Sequence, residues 1–213
     1  MASPVNRAPR MAAWLATGLF VVALLAFGAL PDGYSHRLHP VALLGATGMP
    51  RAAAFNLLAF VVPGLLAAWT AWSLREAMPA AAGPASRIGA RLVSLAALAF
   101  AAQGAVALDP ADLDAGGTRL HAVAWMLWAL AFTAGVLALA WGAARGGRRG
   151  DALRHGLAGA MVACFALFAG AVFAPAIAQR IAYATWFGWL LLATAGVSRG
   201  AASTRGSSPR GRR

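Results

Sequence analysis

The sequence predicts an all-α polytopic membrane protein, a bundle of six transmembrane helices. Of its 213 residues, 61% are hydrophobic and only 11% are charged, and the mean hydropathy is +0.68. Soluble domains carry about 25% charged residues, so this composition leaves too little polar surface for a soluble protein. Apolar runs of about 20 residues recur along the chain, the length a helix needs to cross a bilayer core. The runs are continuous rather than alternating, which argues against the strands of a β-barrel.

Six segments fit this pattern. The predicted helices cover approximately residues 11–30, 52–74, 89–108, 121–143, 156–175 and 181–198. Arg7 and Arg10 precede the first as they would in a signal peptide, but the apolar run is longer than a signal h-region, so we expect an uncleaved helix. Pro63-Gly64 interrupts the second helix. Thr118 is the predicted N-cap of the fourth.

The distribution of arginine predicts the orientation. All 18 basic residues are Arg, and with six helices 14 of them fall on the side that holds both termini. The positive-inside rule then places residues 1–10 and the C-terminus in the cytoplasm, with residues 31–51 and 109–120 outside. Residues 199–213 are rich in Gly, Ser and Arg, so we expect a disordered basic cytoplasmic tail. Abundant Ala, Gly and Arg without Lys favours a bacterial coding bias, and therefore the inner (plasma) membrane of a bacterium.

The net charge of +12 does not predict nucleic-acid binding, because the arginines are scattered over short loops and both ends. Attraction to anionic lipid head groups explains them instead. The sequence contains no nucleotide-binding loop, Rossmann glycine pattern or zinc-protease helix. Cys164, the only cysteine, allows neither an intrachain disulfide nor a thiolate metal cluster. The sequence therefore assigns no cofactor.

Ionisable residues are missing from the centres of the predicted helices, which argues against a proton relay, a voltage sensor or an ion-coupled transporter. His155 falls on the cytoplasmic side and the other three histidines fall outside. A transmembrane haem would need histidine pairs at matching depth, so this distribution argues against one.

Polar residues collect instead toward the predicted outer side. Within a helix, a buried polar group without a partner costs several kcal/mol, so such residues are expected to meet partners there. We predict one outward-facing polar patch, with these candidate residues: His36, Arg37, His39, Asn56, Asp109, Asp112, His121 and Arg180. The alternative is that the loops simply pair their charges to close the outer end of the bundle.

The two predicted external loops carry most of the patch. His36 and His39 would share one face of a helix at their i, i+3 spacing. The stretch "PVALLGATGM" after them is apolar enough for a short helix in the membrane interface. In the second loop, Asp109-Pro110 and Asp112 are typical of the start of a short helical turn.

A metal is one use of such a patch. Three imidazoles, from His36, His39 and His121, with a carboxylate from Asp109 or Asp112, would suit zinc, whose catalytic sites use three protein ligands and a water. A hydrogen-bonded network without metal is the alternative, and the favoured one.

Four segments in this order resemble the domain-of-unknown-function 998 family: "YSHRLHPVALLGA", "FNLLAFVVPGLL", "LDPADLD" followed by "TRLHAVAWMLWALAF", and "QRIAYATWFGWLLLA". The resemblance covers about residues 11 to 198, and it rests on His39-Pro40, Asn56, Pro63-Gly64, Asp109, Asp112 and His121. It implies a six-helix prokaryotic integral membrane protein. It implies no activity.

Two functions remain open at this point. The first is a site that binds or processes a lipid or lipid-linked substrate at the outer leaflet. The second is a non-enzymatic membrane scaffold, sensor or accessory subunit. Close approach of the candidate residues beside a lipid-accessible cavity would favour the first, whereas separately paired groups would favour the second.

Overall fold

The computed structural model of the protein describes residues 4–168 and 174–205. Within these ranges the chain forms long helices and contains no strand, which confirms an all-α polytopic bundle. The helices are α1 (Pro4–Gly28), α2 (Ala52–Glu76), α3 (Pro84–Ala105), α4 (Gly116–Arg145), α5 (Arg149–Phe168) and α6 (Pro175–Arg205). By length and hydropathy, α1 to α5 can each cross a membrane.

Five of the six helices begin several residues before their predicted starts, whereas α1 and α3 end two to three residues before their predicted ends. α3 to α6 each begin five to seven residues before the predicted start, and α1 begins at Pro4 instead of residue 11. Hydropathy marks only the apolar middle of a helix, whereas backbone hydrogen bonding continues into the polar flanks. α6 reaches Arg205, so it includes residues 199–205 of the tail that the sequence predicts to be disordered. The rest of the predicted tail, residues 206–213, lies outside the described residues.

Pro63-Gly64 does not break α2. Helical structure is continuous, but Leu57–Val61 forms a π-helical segment just before the proline. A proline lacks the N–H that would bond four residues back, and a π-helical turn is one local adjustment to that loss. Gly64 brings α2 close to α3, because a Cβ at this position would lie 2.6 Å from the backbone nitrogen of Ala101.

Successive helices alternate in direction, so the loops gather at two ends. We call one the arginine-rich end: residues 77–83 and 146–148, with the start of α1 and the end of α6. We call the other the histidine end: residues 29–51 and 106–115, with the start of α6. Neighbouring helices pack in chain order, and α6 returns to α1, which closes the bundle.

Aromatic side chains fill the middle of the bundle. The Phe100 ring centroid lies 4.5 Å from that of Trp186 and 5.2 Å from that of Tyr183, and Trp128 lies 5.0 Å from Tyr183. All four side chains are buried. Each such pair contributes about 0.5–1.5 kcal/mol beyond its buried area, so this cluster fixes α6 against α3 and α4.

Candidate functional site

Arg180, near the start of α6, holds the first loop of the histidine end in place. Its Nη1 donates to the carbonyl oxygens of His39 (3.0 Å) and Ala176 (2.8 Å), and its Nη2 donates to the Tyr34 hydroxyl at 2.8 Å. The same Nη2 lies 3.3 Å from Nδ1 of His36. The structure thus brings three of the predicted patch residues together: His36, His39 and Arg180.

Tyr34 lies between the two histidines. Its ring packs edge-on against His36 at 5.2 Å and stacks on His39 at 5.6 Å. Burial raises the pKa of the Tyr34 hydroxyl, although nearby Arg180 opposes this. Burial and the charge of Arg180 lower the pKa of His36, so His36 is neutral at neutral pH and its Nδ1 can accept from Arg180. Arg37, between the histidines, is exposed.

The apolar stretch after His39 packs into the bundle and not into the membrane interface as predicted. Val41–Gly45 is a short 3₁₀ helix whose Val41 and Leu44 side chains are buried. The N–H of Val41 donates to Oε1 of Gln179 at 2.8 Å. Asn56 is buried below it and donates from Nδ2 to the Gly45 carbonyl at 2.8 Å. These polar contacts fix the segment to α2 and α6, where its apolar side chains find protein partners.

His121 is buried in the second turn of α4 because this helix begins at Gly116. Its Nδ1 lies 3.0 Å from the carbonyl oxygens of both Gln103 and Val106. Nδ1 therefore carries the ring proton and donates to carbonyls left free at the end of α3. The side-chain Oε1 of Gln103 accepts from the Tyr183 hydroxyl at 2.9 Å.

Asp109 and Asp112 form turns in the second loop. The Asp109 carboxylate accepts from the N–H of Ala111, and the Asp112 carboxylate accepts from the N–H of Asp114, each at 3.0 Å. The helical turn predicted here is wrong, because Asp side chains readily bond amides two residues ahead in non-helical turns. Thr118 is not the N-cap of α4. Its hydroxyl donates to the Asp112 carbonyl at 3.0 Å instead.

The predicted patch therefore divides into separate sets of contacts. His36 and His39 surround Arg180, whereas His121 bonds to α3, and Asn56, Asp109 and Asp112 each bond to nearby backbone. Among the described residues, no three His, Cys, Asp or Glu side chains are placed to hold one metal ion. The zinc site considered for His36, His39 and His121 is thus not formed, because the early start of α4 buries His121 against α3.

A cavity of about 240 Å³ opens at the other end of the bundle, the arginine-rich end. One side of it is polar and comes from the start of α5, with Arg148 immediately before the helix. The other side is apolar and comes from α2, α3, α4 and α6. The polar lining residues are Arg148, Asp151, Arg154 and His155, and the apolar ones include Ala71, Leu74, Met78, Val93, Leu139 and Trp189.

The polar side carries net positive charge. The Asp151 carboxylate accepts from Nη2 of Arg154 at 2.7 Å and lies 3.7 Å from Nη1 of Arg148. One carboxylate thus faces two guanidinium groups. Nε of Arg154 is buried and has no partner in the described part of the chain. The N-terminal end of α5 adds the positive end of a helix dipole, so this side of the cavity is electrostatically positive.

His155 adds a further donor to this cavity. The indole N–H of Trp189 donates to Nδ1 of His155 at 2.9 Å. The neutral imidazole therefore carries its proton on Nε2. Together with Arg148 and Arg154, this arrangement provides hydrogen-bond donors beside an apolar wall.

The sequence prediction missed this cavity and used its arginines only for orientation. One signal was present: Asp151 lies three residues from both Arg148 and Arg154, a spacing that puts charged side chains on one helix face. The Trp189 contact joins residues 34 positions apart, and no local pattern predicts it.

Both the cavity and the histidine end fall within the region shared with other proteins. A family model described as "Protein of unknown function (DUF998)" matches residues 14–196. No curated protein and no solved structure matches the chain. The match covers most of the chain, in agreement with the resemblance seen in its four sequence segments. The chain belongs to the DUF998 family of proteins of unknown function.

Proposed function

We propose that this membrane protein binds the anionic head of a lipid or lipid-linked molecule in the cavity at the arginine-rich end. The observation that carries the proposal is the pair of guanidinium groups in the cavity lining, Arg148 and Arg154, which face a single carboxylate, Asp151. Asp151 is the only acidic residue of the lining, so one positive charge stays without an acidic partner there. Hydrogen bonds from a charged donor to an anionic oxygen contribute about 1.5–3 kcal/mol each. The proposal concerns binding, and it assigns no reaction.

An amphiphilic ligand fits this cavity better than a small soluble anion. Its polar donors lie on one side only, and the opposite side is formed by apolar residues such as Val93 and Leu139. Exposed tryptophans lie at the same end, with Arg75 over Trp72 at 4.7 Å and Arg145 over Trp141 at 5.9 Å. Tryptophan and arginine are typical of the membrane interface, which is the depth at which lipid head groups lie.

The histidine end supports a lipid site less well. The Nη groups of Arg180 contact the loop and its own helix, and Asn56 and His121 bond to backbone carbonyls. These contacts support closure of the bundle by its own loops. We therefore keep the lipid ligand expected from the sequence and place its site at the opposite end.

We further propose that the chain crosses the inner membrane of a bacterium six times, with both termini in the cytoplasm. The positive-inside rule supports this orientation, because six crossings would put 14 of the 18 arginines on the side that holds both termini. In this orientation the cavity opens toward the inner leaflet, where anionic lipids give a negative surface potential.

A second candidate function is that of a scaffold or accessory subunit. It is supported by the exposure of α5. In the most apolar 18-residue stretch of α5 only 17% of the residues are buried, whereas the same stretches of α1 to α4 are 33% to 50% buried. A sparsely covered helix is a natural contact for another membrane protein.

Binding of radiolabelled hexadecyl phosphate to the protein in phosphatidylcholine nanodiscs tests the lipid proposal. Arg148→Gln removes a guanidinium that makes only a long 3.7 Å contact with Asp151, so this variant should still fold. We expect the affinity to fall about tenfold or more, since a hydrogen bond to a charged group contributes about 1.5–3 kcal/mol. Arg154→Gln should have at least the same effect.

Arg149→Gln is the matched control, because Arg149 is exposed and adjacent in the chain but does not line the cavity. Equal binding by the wild type, Arg148→Gln and Arg154→Gln would refute the proposal. Full competition by equimolar butyl phosphate would show a site for soluble anions and would refute the lipid part.

A further inference from the structure

We infer that the hydrocarbon chain of the bound lipid lies in a groove between α5 and α6, and that Arg154 and Trp189 separate this groove from the cavity for the head group. This inference rests on the proposed function and specifies how the ligand is seated. It also identifies the lipid as one that enters sideways, from the bilayer, with its chain remaining outside the bundle.

The groove is open, has a volume of about 460 Å³ and is lined almost entirely by apolar atoms. On α5 it follows Gly150, Leu153, Leu157 and Met161, which recur at helical spacing along one face. The eleven rises of about 1.5 Å between Gly150 and Met161 give this stripe a length of about 16 Å. Its extent suits a hydrocarbon chain that runs from the head-group region toward the middle of the bilayer.

On α6 the groove is lined by two small residues, Thr185 and Gly188, and by Trp189 and Leu192. A Cβ at Gly188 would meet nothing within 4 Å in the described part of the chain, so the glycine leaves real space. The hydroxyl of Thr185, which also lines the groove, donates to the Ile181 carbonyl of its own helix at 2.8 Å. This hydroxyl is thus satisfied, and it does not compete for a polar ligand.

Two residues lie at the boundary between the groove and the cavity. Arg154 and Trp189 line both. Arg154 bonds to Asp151 on the cavity side, and Trp189 donates to His155 there. A lipid head that bonds Arg154 therefore has its chain directly beside the start of the groove.

The exposure of α5 agrees with a lipid on this face. Leu153 is 63% exposed, Leu157 56% and Met161 39%. A lipid chain and a bilayer are equally apolar, so the chain gains little affinity from the groove itself. The head group selects the lipid, and the shape of the groove fixes where the chain lies. The decisive measurement is therefore the position of the chain.

Photo-crosslinking measures that position. A phosphatidic acid with a diazirine midway along one chain is incorporated in phosphatidylcholine nanodiscs with the full-length protein, and labelled peptides are mapped by mass spectrometry. We expect saturable labelling concentrated between Leu153 and Met161, and competition by unlabelled hexadecyl phosphate. Gly188→Leu places a side chain in the groove and should lower this labelling about fivefold or more, because the side chain occupies space that the hydrocarbon chain would take and a loss of about 1 kcal/mol corresponds to that factor.

Gly18→Leu is the matched control. Gly18 is an exposed glycine of α1, and a Cβ added there would meet no described atom within 4 Å. The same substitution at this position should therefore leave the labelling of α5 unchanged. Hexadecyl phosphate binding by Gly188→Leu, measured separately, shows that the head-group site is still folded.

Three results would overturn the inference. Labelling spread evenly over lipid-facing residues of α1 and α4, and insensitive to Gly188→Leu, would place the chain elsewhere while leaving the head-group proposal intact. Disulfide formation between copies that carry Leu157→Cys in a Cys164→Ala background, without lipid labelling, would show that a second copy covers the groove. Failure of the wild type to bind hexadecyl phosphate would remove both the inference and the proposed function.

Discussion

Two arginines show how the same side chain serves different purposes at the two ends of the molecule. Both Arg154 and Arg180 keep an Nε without a partner among the described residues. The Nη groups of Arg180 bond to two backbone carbonyls and to Tyr34, whereas Arg154 donates from Nη2 to Asp151. Arg180 is therefore a structural residue, whereas Arg154 has one side-chain partner and lines the cavity where we propose that an anion binds.

The structural role of Arg180 leads to a stability prediction. Arg180→Met keeps most of the side-chain length but removes every donor, so that the His39 carbonyl and the Tyr34 hydroxyl lose a charged partner. Hydrogen bonds to charged groups contribute about 1.5–3 kcal/mol each, and we expect the free energy of unfolding to fall by about 2–4 kcal/mol. Unfolding in a dodecyl sulfate titration measures it.

The control for this substitution is Arg37→Met in the same loop. Arg37 is exposed, and exposed substitutions usually change stability by less than about 0.5 kcal/mol. If Arg37→Met and Arg180→Met destabilise the protein equally, loss of charge at the histidine end is the cause, and the proposed anchoring by Arg180 is wrong.

At the scale of elements, glycines bring two helices into close contact. A Cβ at Gly89 of α3 would lie 2.6 Å from the carbonyl oxygen of Gly135 on α4, and one at Gly135 would lie 3.0 Å from the carbonyl oxygen of Gly89. Membrane helices have little hydrophobic drive to associate, so close approach through small residues is what holds them together.

This contact predicts opposite effects for one substitution at two glycines. Alanine favours a helix over glycine by up to about 1 kcal/mol, so Gly18→Ala, in open space, should be neutral or stabilising. Gly89→Ala should destabilise by about 1–3 kcal/mol, because α3 and α4 must separate to admit the methyl group. Thermal unfolding in detergent compares the two. A Gly89→Ala protein as stable as the wild type would contradict close α3–α4 packing.

The long helices were predictable from the sequence because hydropathy over 20 residues is a strong local signal. Shorter elements were not, because tertiary contacts determine them. The apolar residues 41–45 would suit the membrane interface as well as the interior of the bundle. Hydrogen bonds with the side chains of Gln179 and Asn56, which are distant in the chain, hold them inside the bundle. Likewise, the sequence shows that Pro63 disturbs α2, but the π-helical solution depends on packing against α3.

At the scale of the whole molecule, the site was harder to predict than the fold. Polar residues in an apolar chain mark both loop anchors and ligand sites, and the sequence does not separate the two. Asn56, His121 and Arg180 are polar residues that serve as anchors through contacts with distant parts of the chain. Arg154 and His155 form the cavity through the folding of α5 against α6, which brings Trp189 to His155.

The orientation of the molecule decides which leaflet this cavity faces, and cysteine labelling determines it. The background is Cys164→Ala, which removes the only native thiol. Gly146→Cys lies at the arginine-rich end, where a Cβ would meet no described atom closer than 3.5 Å, and Ala111→Cys lies exposed at the histidine end.

With an impermeant maleimide added to spheroplasts, we expect immediate labelling of Ala111→Cys. Labelling of Gly146→Cys should need permeabilisation, because the positive-inside rule retains the arginine-rich end in the cytoplasm. Ser208→Cys should behave like Gly146→Cys if six helices cross the membrane, and like Ala111→Cys if only five do. Labelling of Gly146→Cys from outside would show that the protein has the opposite orientation in the membrane, with the cavity at the outer leaflet.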